Sequence, residues 1–277
     1  MNVEYLLLRF LRRNLPEKAV KTLLRKRLII KPGLETREPR KAVERYQALL
    51  NEHSMSFTGK NVLIFGYGGS LAVAVELLRS GCAHVTVCDL FPPVDNHIDD
   101  SLLPEYSQYL GSKANLVVSK PEFITVFHGD IRTVPDSIRL GPFDLIISSS
   151  VYEHLDDVDG ITAALSRLLK PSGHFVAYID LRDHFFKYPF EMLCYSTTIW
   201  KKWLNPTSNL NRYRIWDYRN IFNRYFKDTQ INILERDLEH FNQAKNRIRQ
   251  EFKSGNESQD AVVYIVVISS QPFRQDD

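Results

Sequence analysis

Five short apolar runs, with helix-patterned stretches between several of them, constrain this chain more than any other feature. They fall at 61–66 (NVLIFG), 84–88 (HVTVC), 124–128 (ITVFH), 143–148 (FDLIIS) and 173–179 (GHFVAYI). Apolar residues recur at helical spacing over 71–80, 103–111 and 160–170. Strands alternating with helices predict an α/β fold built on a doubly wound, mostly parallel sheet. Two further runs, QINILER (230–236) and DAVVYIVVIS (260–269), bring the expected strands to seven.

The 277 residues suit one large domain with additions, or two small ones. The longest apolar run, AVVYIVVI (261–268), falls far short of the roughly 20 residues that span a bilayer. No small-residue cleavage site follows the N-terminal MNVEYLLLRFLRR, so a secretory leader is not expected. Three cysteines without a CxxC pair suit a reduced compartment, and the expected location is cytoplasmic. Net charge is +3 but uneven, with 11 Lys/Arg against 4 Asp/Glu in residues 1–40. There Val3, Leu6, Leu7, Phe10 and Leu11 predict one amphipathic helix, and Val20, Leu23, Leu24 and Leu28 a second. A third helix, RKAVERYQALLNEH, leads to the first strand. Residues 1–57 are thus expected as a basic helical segment ahead of a domain spanning 58–277. The basic helices are expected to dock on that domain or, through residues 1–30, to touch the inner face of a membrane peripherally.

The first strand runs into the turn Gly66-Tyr67-Gly68-Gly69-Ser70. Gly66 and Gly68 fit the start of a dinucleotide fingerprint, but Leu71 stands at its third glycine and no Gly-Lys-Ser/Thr follows. Asp89 ends the second strand, 21 residues past Gly68, where a carboxylate can accept both ribose hydroxyls. A lone glycine after a strand is often only a turn, and a lone Asp as often a helix cap. The combination indicates an adenosine-type ligand without choosing among cofactors.

The ordered set of Gly66-x-Gly68, Asp89, GDI (129–131), FDLIISSSVYEHL (143–155) and LLKPSG (168–173) resembles the class I S-adenosylmethionine-dependent methyltransferases over about residues 58–180. The resemblance implies a sheet ordered 3-2-1-4-5-7-6 with the last-formed strand antiparallel, and S-adenosyl-L-methionine as cofactor. It implies that Gly66 and Gly68, in one turn with Tyr67, Gly69 and Ser70, let the backbone approach the methionine part. Asp89 would hold the ribose and Leu90 border the adenine. Asp130 would accept from the adenine amino group beside the Ile131 amide, and Ser148 and Ser149 would touch the methionyl group. Two positions depart from the pattern. Ile64 stands where many members carry an acidic residue, and Ser70 replaces a motif glycine. These departures favour, as the alternative, a non-catalytic partner protein that binds S-adenosylmethionine or S-adenosylhomocysteine. A nicotinamide-dependent oxidoreductase is disfavoured by Leu71 and the C-terminal strand pair.

Methyl transfer is an in-line displacement that depends on positioning, and an oxygen acceptor also needs a base near its proton. His154, after the fourth strand, and His184, after the fifth, are the candidate catalytic residues. Asp183, with Asp180, is expected to orient the His184 ring. Asp156, Asp157, Asp159, Asp180, Asp183 and His184 carry donor atoms that suit a hard cation. Acidic residues after a strand more often open the next helix, so no metal is expected. A nucleic-acid acceptor is not expected: SSSV replaces the Asn/Asp-Pro-Pro-aromatic motif after the fourth strand, and no cysteine follows a proline. Residues 185–226 hold 13 of the 32 aromatic residues and all three tryptophans, and are expected as a helical cap over an acceptor pocket. Arg212, Arg214 and Arg219 are expected to form surface ion pairs with Asp217 and its neighbours or, on a glycoconjugate acceptor, to meet its phosphate or carboxylate. DLRDHF, YSTTIWKKWL and NRYRIWDY are loosely similar to bacterial methyltransferases of polysaccharide and glycoconjugate clusters. That likeness implies a sugar-like hydroxyl acceptor.

Overall fold

The structure is a computed structural model that describes residues 2–14, 34–90, 100–114, 116–134, 140–185 and 187–274. Its strands are β1 (Asn61–Phe65), β2 (His84–Asp89), β3 (Leu110–Lys113), β4 (Leu116–Ser119), β5 (Ile124–His128), β6 (Phe143–Ser149), β7 (Leu169–Asp180), β8 (Phe226–Arg236) and β9 (Val262–Pro272). Seven of them form one sheet in the order β5-β2-β1-β6-β7-β9-β8, while β3 and β4 make a separate hairpin. Neighbours from β5 to β7 are parallel, and β9 is antiparallel to both β7 and β8. With the hairpin set aside this is the expected 3-2-1-4-5-7-6 arrangement.

Period-2 alternation gives each strand two apolar faces, because both faces of the sheet are covered. Val62, Ile64, Val85, Val87, Leu145 and Ile147 meet α2 (Pro39–Glu52) and α3 (Ala72–Arg79); α1 is the N-terminal helix Val3–Asn14. Leu63, Phe65, Ile146, Phe175 and Ala177 meet α4 (Val158–Arg167) and α5 (Ile215–Tyr225) on the other face. Local signals start these helices. Pro39 presets φ at the first position of α2, and the Asp157 side chain caps α4 by accepting from the Gly160 amide at 2.9 Å.

Two boundaries differ from expectation. The helix over 103–111 is a single turn, Leu103–Tyr106, because Leu110–Lys113 pairs instead with the strand-forming Leu116–Ser119. The 160–170 helix stops at Arg167, and Leu169 already pairs with Phe143, so Lys170–Gly173 lies inside β7. The second basic helix, Val20 to Leu28, falls outside the described residues. Among the described residues no helix is long and apolar enough to cross a membrane.

The aromatic stretch 185–226 divides in two. Its last part is α5, a layer of the main fold. Its first part, with α6 (Leu238–Ala244) and the start of β9, builds a third core around Phe190, Leu193, Trp200, Phe241 and Val263. Helix α1 plugs into this unit by its polar side. Tyr5 stacks on Tyr195 with ring centroids 5.9 Å apart, and the Arg9 guanidinium lies between Phe185 and Trp200 at 4.7 and 5.0 Å. Arg9 pairs with Asp183, which is fully buried, and the Tyr5 hydroxyl donates to the same carboxylate at 2.5 Å. The apolar residues Val3, Leu7 and Leu11 are 69%, 60% and 54% exposed. A buried carboxylate requires a cation, and Tyr5 and Arg9, four residues apart, deliver one.

The arginines of the insertion have structural uses. Arg214 is fully buried and donates to the carbonyls of Leu181, Asp260 and Val262 at 3.3, 2.9 and 2.7 Å, tying the insertion to β7 and β9. Burial lowers its pKa to about 10. Arg212 donates to the carbonyls of Met192 and Tyr195 at 3.1 and 2.7 Å. Arg219 is exposed. Replacement of Arg214 by Ala strands three buried carbonyls and opens a cavity, and should cost at least about 3 kcal/mol. Arg219→Ala should stay within about 0.5 kcal/mol. Urea unfolding of the two variants measures the difference.

Candidate active site

The carboxyl ends of β1, β2, β5, β6 and β7 converge, and nearly all the residues singled out from the sequence lie there. Gly66, Gly68 and Gly69 have φ of +80°, +70° and +86°, a region that favours glycine. A Cβ on Gly66 would overlap the Val151 side chain, whereas one on Gly68 would meet nothing within 4 Å. The Gly66 amide donates to the Cys88 carbonyl at 2.8 Å, and the Gly68 amide to Asp89 Oδ2 at 3.1 Å. The turn and the carboxylate are therefore one unit. Leu90 is half-exposed beside it. Tyr67 stacks on His128 at the end of β5, its hydroxyl 2.6 Å from the ring Nε2. Ser70, in place of a motif glycine, accepts from the Ala72 amide at 3.3 Å and so helps to open α3.

Asp130 caps the turn Ile131–Thr133 by accepting from the Arg132 amide at 2.9 Å, and Ile131 is buried beneath. The Arg132 side chain folds back onto both Asp130 oxygens and reaches Asp157 at 2.8 Å. The guanidinium beside it holds the Asp130 carboxyl below the usual range. An adenine amino group would share this carboxylate with Arg132, which the sequence reading did not foresee.

At the end of β6, Ser148 is buried and its Oγ has no hydrogen-bond partner. Ser149 Oγ accepts from Arg45 of α2 at 3.4 Å. Arg45 also pairs with Glu35 at 2.7 Å, donates to the Tyr264 hydroxyl at 3.0 Å and lies 3.8 Å from the Tyr178 ring centroid. Arg45 was read from the sequence only as part of the helix that leads to the first strand, and Glu35 carried no signal beyond lying in the basic N-terminal segment.

His154 and His184 are brought together, with ring centroids 4.8 Å apart. His154 Nδ1 faces the carbonyls of Ser208 and Asn209 at 3.0 and 2.8 Å. Two acceptors place the proton on Nδ1 and leave the lone pair on Nε2. Burial lowers the pKa of this ring, which favours its neutral form. The two carboxylates expected to orient His184 have other work. Asp183 accepts from Arg9, Tyr5 and the Phe185 amide; Asp180 accepts from the Arg182 amide at 2.9 Å and from its guanidinium at 2.8 Å. The third member of the cluster is Glu153, which the sequence reading missed. It is 3% exposed, and no donor makes a hydrogen bond to either of its oxygens. Burial first, then the nearby Asp180, raises its carboxyl well above the ordinary range; the backbone amides of Glu153 and Asp180 lie near enough to offset this in part without making a hydrogen bond to either oxygen. Glu153, His154 and His184 each offer one ligand atom, all within 4.8 Å of one another. The other acidic residues disperse: Asp156 is exposed, Asp157 caps α4, and Asp159 pairs with Arg224 at 2.8 Å. A polar cleft of about 370 Å³ is lined by Asp156, Lys201, Tyr213, Glu251 and Asn209, the last being the residue whose carbonyl faces His154 Nδ1.

Residues 34–244 match the family model of a methyltransferase domain. In structure the chain is similar to 1,6-didemethyltoxoflavin-N1-methyltransferase of Burkholderia thailandensis, solved with 1,6-didemethyltoxoflavin and S-adenosylhomocysteine. There the TM-score is 0.50 at 13% identity, over 92% of this chain and 86% of that one. It is also similar to the CMeT domain of the citrinin polyketide synthase, with TM-score 0.50 and 13% identity over 94% of this chain and 58% of that one. These likenesses concern the fold. No curated protein matches the sequence.

Gly66→Ala meets both the φ penalty and the Val151 side chain, about 3 kcal/mol together, whereas Gly68→Ala meets the φ penalty alone, about 1–2 kcal/mol. Thermal unfolding should order them so. Ser148→Ala removes a hydroxyl with no partner and should leave stability unchanged or raise it by up to about 1 kcal/mol.

Proposed function

Because the chain belongs to the methyltransferase domain family and is an S-adenosyl-L-methionine-dependent methyltransferase, we propose that it methylates a hydroxyl oxygen of a small molecule, sugar-like or carried on a glycoconjugate. One observation carries the reading: two imidazoles meet where β6 and β7 end, beside the glycine turn and the serines of the cofactor site. The site fits the cofactor. Three left-handed glycines open the turn, Gly68 has no neighbour where a side chain would project, and the buried Ser148 hydroxyl awaits a partner.

When bound, S-adenosyl-L-methionine supplies an activated methyl carbon; the remaining work falls to the chain. Asp89 holds the ribose hydroxyls, and Tyr67, Gly69, Ser70 and Leu90 shape the walls. Asp130, with the Ile131 amide, receives the adenine edge, and Ser148 and Ser149 hold the methionyl group. Glu35 and Arg45, paired beside Ser149, match the ammonium and carboxylate of an amino acid. They stand in for the acidic residue that Ile64 replaces. His184 takes the acceptor's hydroxyl proton, and His154 fixes the acceptor beside it. Asp183 acts on this site indirectly, by anchoring α1 beneath the segment that carries His184.

Val3, Leu7 and Leu11 of α1 are exposed, and so are Ile199 and Trp203, at 45% and 50%, with Lys201 and Lys202, in the segment that α1 contacts through Arg9 and Arg13. Arg13 joins the two elements by donating to the Lys201 and Asn205 carbonyls. We assign this apolar and basic surface to peripheral contact with an anionic membrane, where a lipid-linked acceptor would reside. Sedimentation with anionic lipid vesicles should carry the protein down, and Leu7→Asp with Trp203→Ala should leave it in solution.

Calorimetric titration with S-adenosylmethionine and S-adenosylhomocysteine tests the cofactor assignment. Asp89→Ala should weaken binding by about tenfold or more, corresponding to about 1.4 kcal/mol. In an acceptor screen, His184→Ala should lower kcat by about a hundredfold or more. Retained turnover in that variant would remove His184 from proton transfer.

A further inference from the structure

We propose that Glu153, His154 and His184 together bind a divalent transition-metal cation at the carboxyl ends of β6 and β7. The site stands on its own geometry, and only its catalytic consequence rests on the O-methyltransferase reading above.

The argument begins with Glu153. Its carboxylate is buried, and neither oxygen receives a hydrogen bond. An ionised carboxylate in that position is costly unless a cation pairs with it. Arg182 and Arg212 line the same small cavity as Glu153, and both have other acceptors: Arg182 holds Asp180 and Glu235, and Arg212 holds the carbonyls of Met192 and Tyr195.

The histidines supply the second observation. His154 gives its Nδ1–H to two backbone carbonyls, the arrangement that fixes a ligating imidazole and directs its Nε2 lone pair to a metal. His184 comes from the next strand end, and the three ligand atoms lie within 4.8 Å of one another. Ligands about 2.1 Å from a tetrahedral cation lie about 3.4 Å apart, so the side chains close the set by drawing in by up to about 1.4 Å. Two imidazoles and one carboxylate select zinc, iron(II) or a similar cation over magnesium or calcium, which prefer oxygen ligands.

Three protein ligands leave coordination positions for an acceptor. A hydroxyl bound there loses its proton more readily, and the proton passes to solvent water. The alkoxide oxygen forms its bond to the methyl carbon as the sulfur–carbon bond breaks. That electron pair returns to sulfur, leaving S-adenosylhomocysteine and the methyl ether. With the cation bound, His184 gives its lone pair to the metal, and solvent takes the proton that His184 takes in the metal-free site.

The test uses the full chain, stripped with a chelator and desalted. Zn²⁺ is titrated calorimetrically, and Co²⁺ by its visible absorption, which reports nitrogen ligation. One equivalent should bind to the wild type. Glu153→Gln, His154→Ala and His184→Ala should each weaken binding about tenfold or more, whereas His240→Ala, on α6, should not. If Glu153→Gln fails to fold, His184→Ala and the Co²⁺ spectrum decide. Absence of stoichiometric uptake by the wild type, or unchanged uptake in His184→Ala, would overturn the site. An S-adenosylhomocysteine titration on the same stripped sample separates the two readings. Cofactor binding without metal uptake sinks the cation site alone, and metal uptake without cofactor binding sinks the cofactor assignment alone.

Discussion

Phe65 pairs with Cys88 on one side and with Ser148 on the other. Because β1 lies between β2 and β6 in parallel register, the residues that follow each of these strands emerge at the same edge. Gly66 then reaches the Cys88 carbonyl, Gly68 reaches Asp89, and Gly66 packs against Val151. A register slip of one residue would turn every side chain of β1 to the other face and dissolve all three contacts. The candidate site is a consequence of sheet pairing, and its groups come from segments far apart in the chain.

Among the described residues, the buried charges that fix the insertion have two kinds of solution. Arg214 and Arg212 are neutralised only partially, by carbonyl dipoles, and Arg9 and Asp183 neutralise each other inside an aromatic socket. These arrangements fix the insertion and α1 against β7 and β9. The aromatic density of residues 185–226 is largely spent on this packing. Glu153 has neither solution, and it lies at the strand ends where ligands of parallel sheets bind. A group that the fold leaves unpaired at such a place is a natural point for a ligand to complete.

The strands were legible in the sequence because period-2 patterning and apolar content report burial directly. The glycine turn and Asp89 were legible because their spacing is local. Glu153 was not, since a single acidic residue in SSSVYEHL carries no periodic signal, and only the tight turn Tyr152–His154 directs it inward. Arg45 and Arg132 were missed because each reaches a partner distant in sequence, Ser149 and Asp157. Helix α1 packs by its polar side and leaves Val3, Leu7 and Leu11 exposed. Helical periodicity locates an apolar stripe but cannot say whether a neighbour offers that stripe a cover or a buried carboxylate a cation.

The sequence by itself determined the α/β class, the strand set and the glycine-and-aspartate signature at the first two strand ends. With the family resemblance it also supplied the sheet order and the cofactor. These depend on patterns within a few tens of residues. Tertiary structure alone decided which carboxylates are spent on arginines and which one is left over. It also decided that two histidines 30 positions apart in the chain share one site. Pairings of charge and ring depend on distances in space, and those are settled only when the sheet has closed its register and the insertion has packed against it.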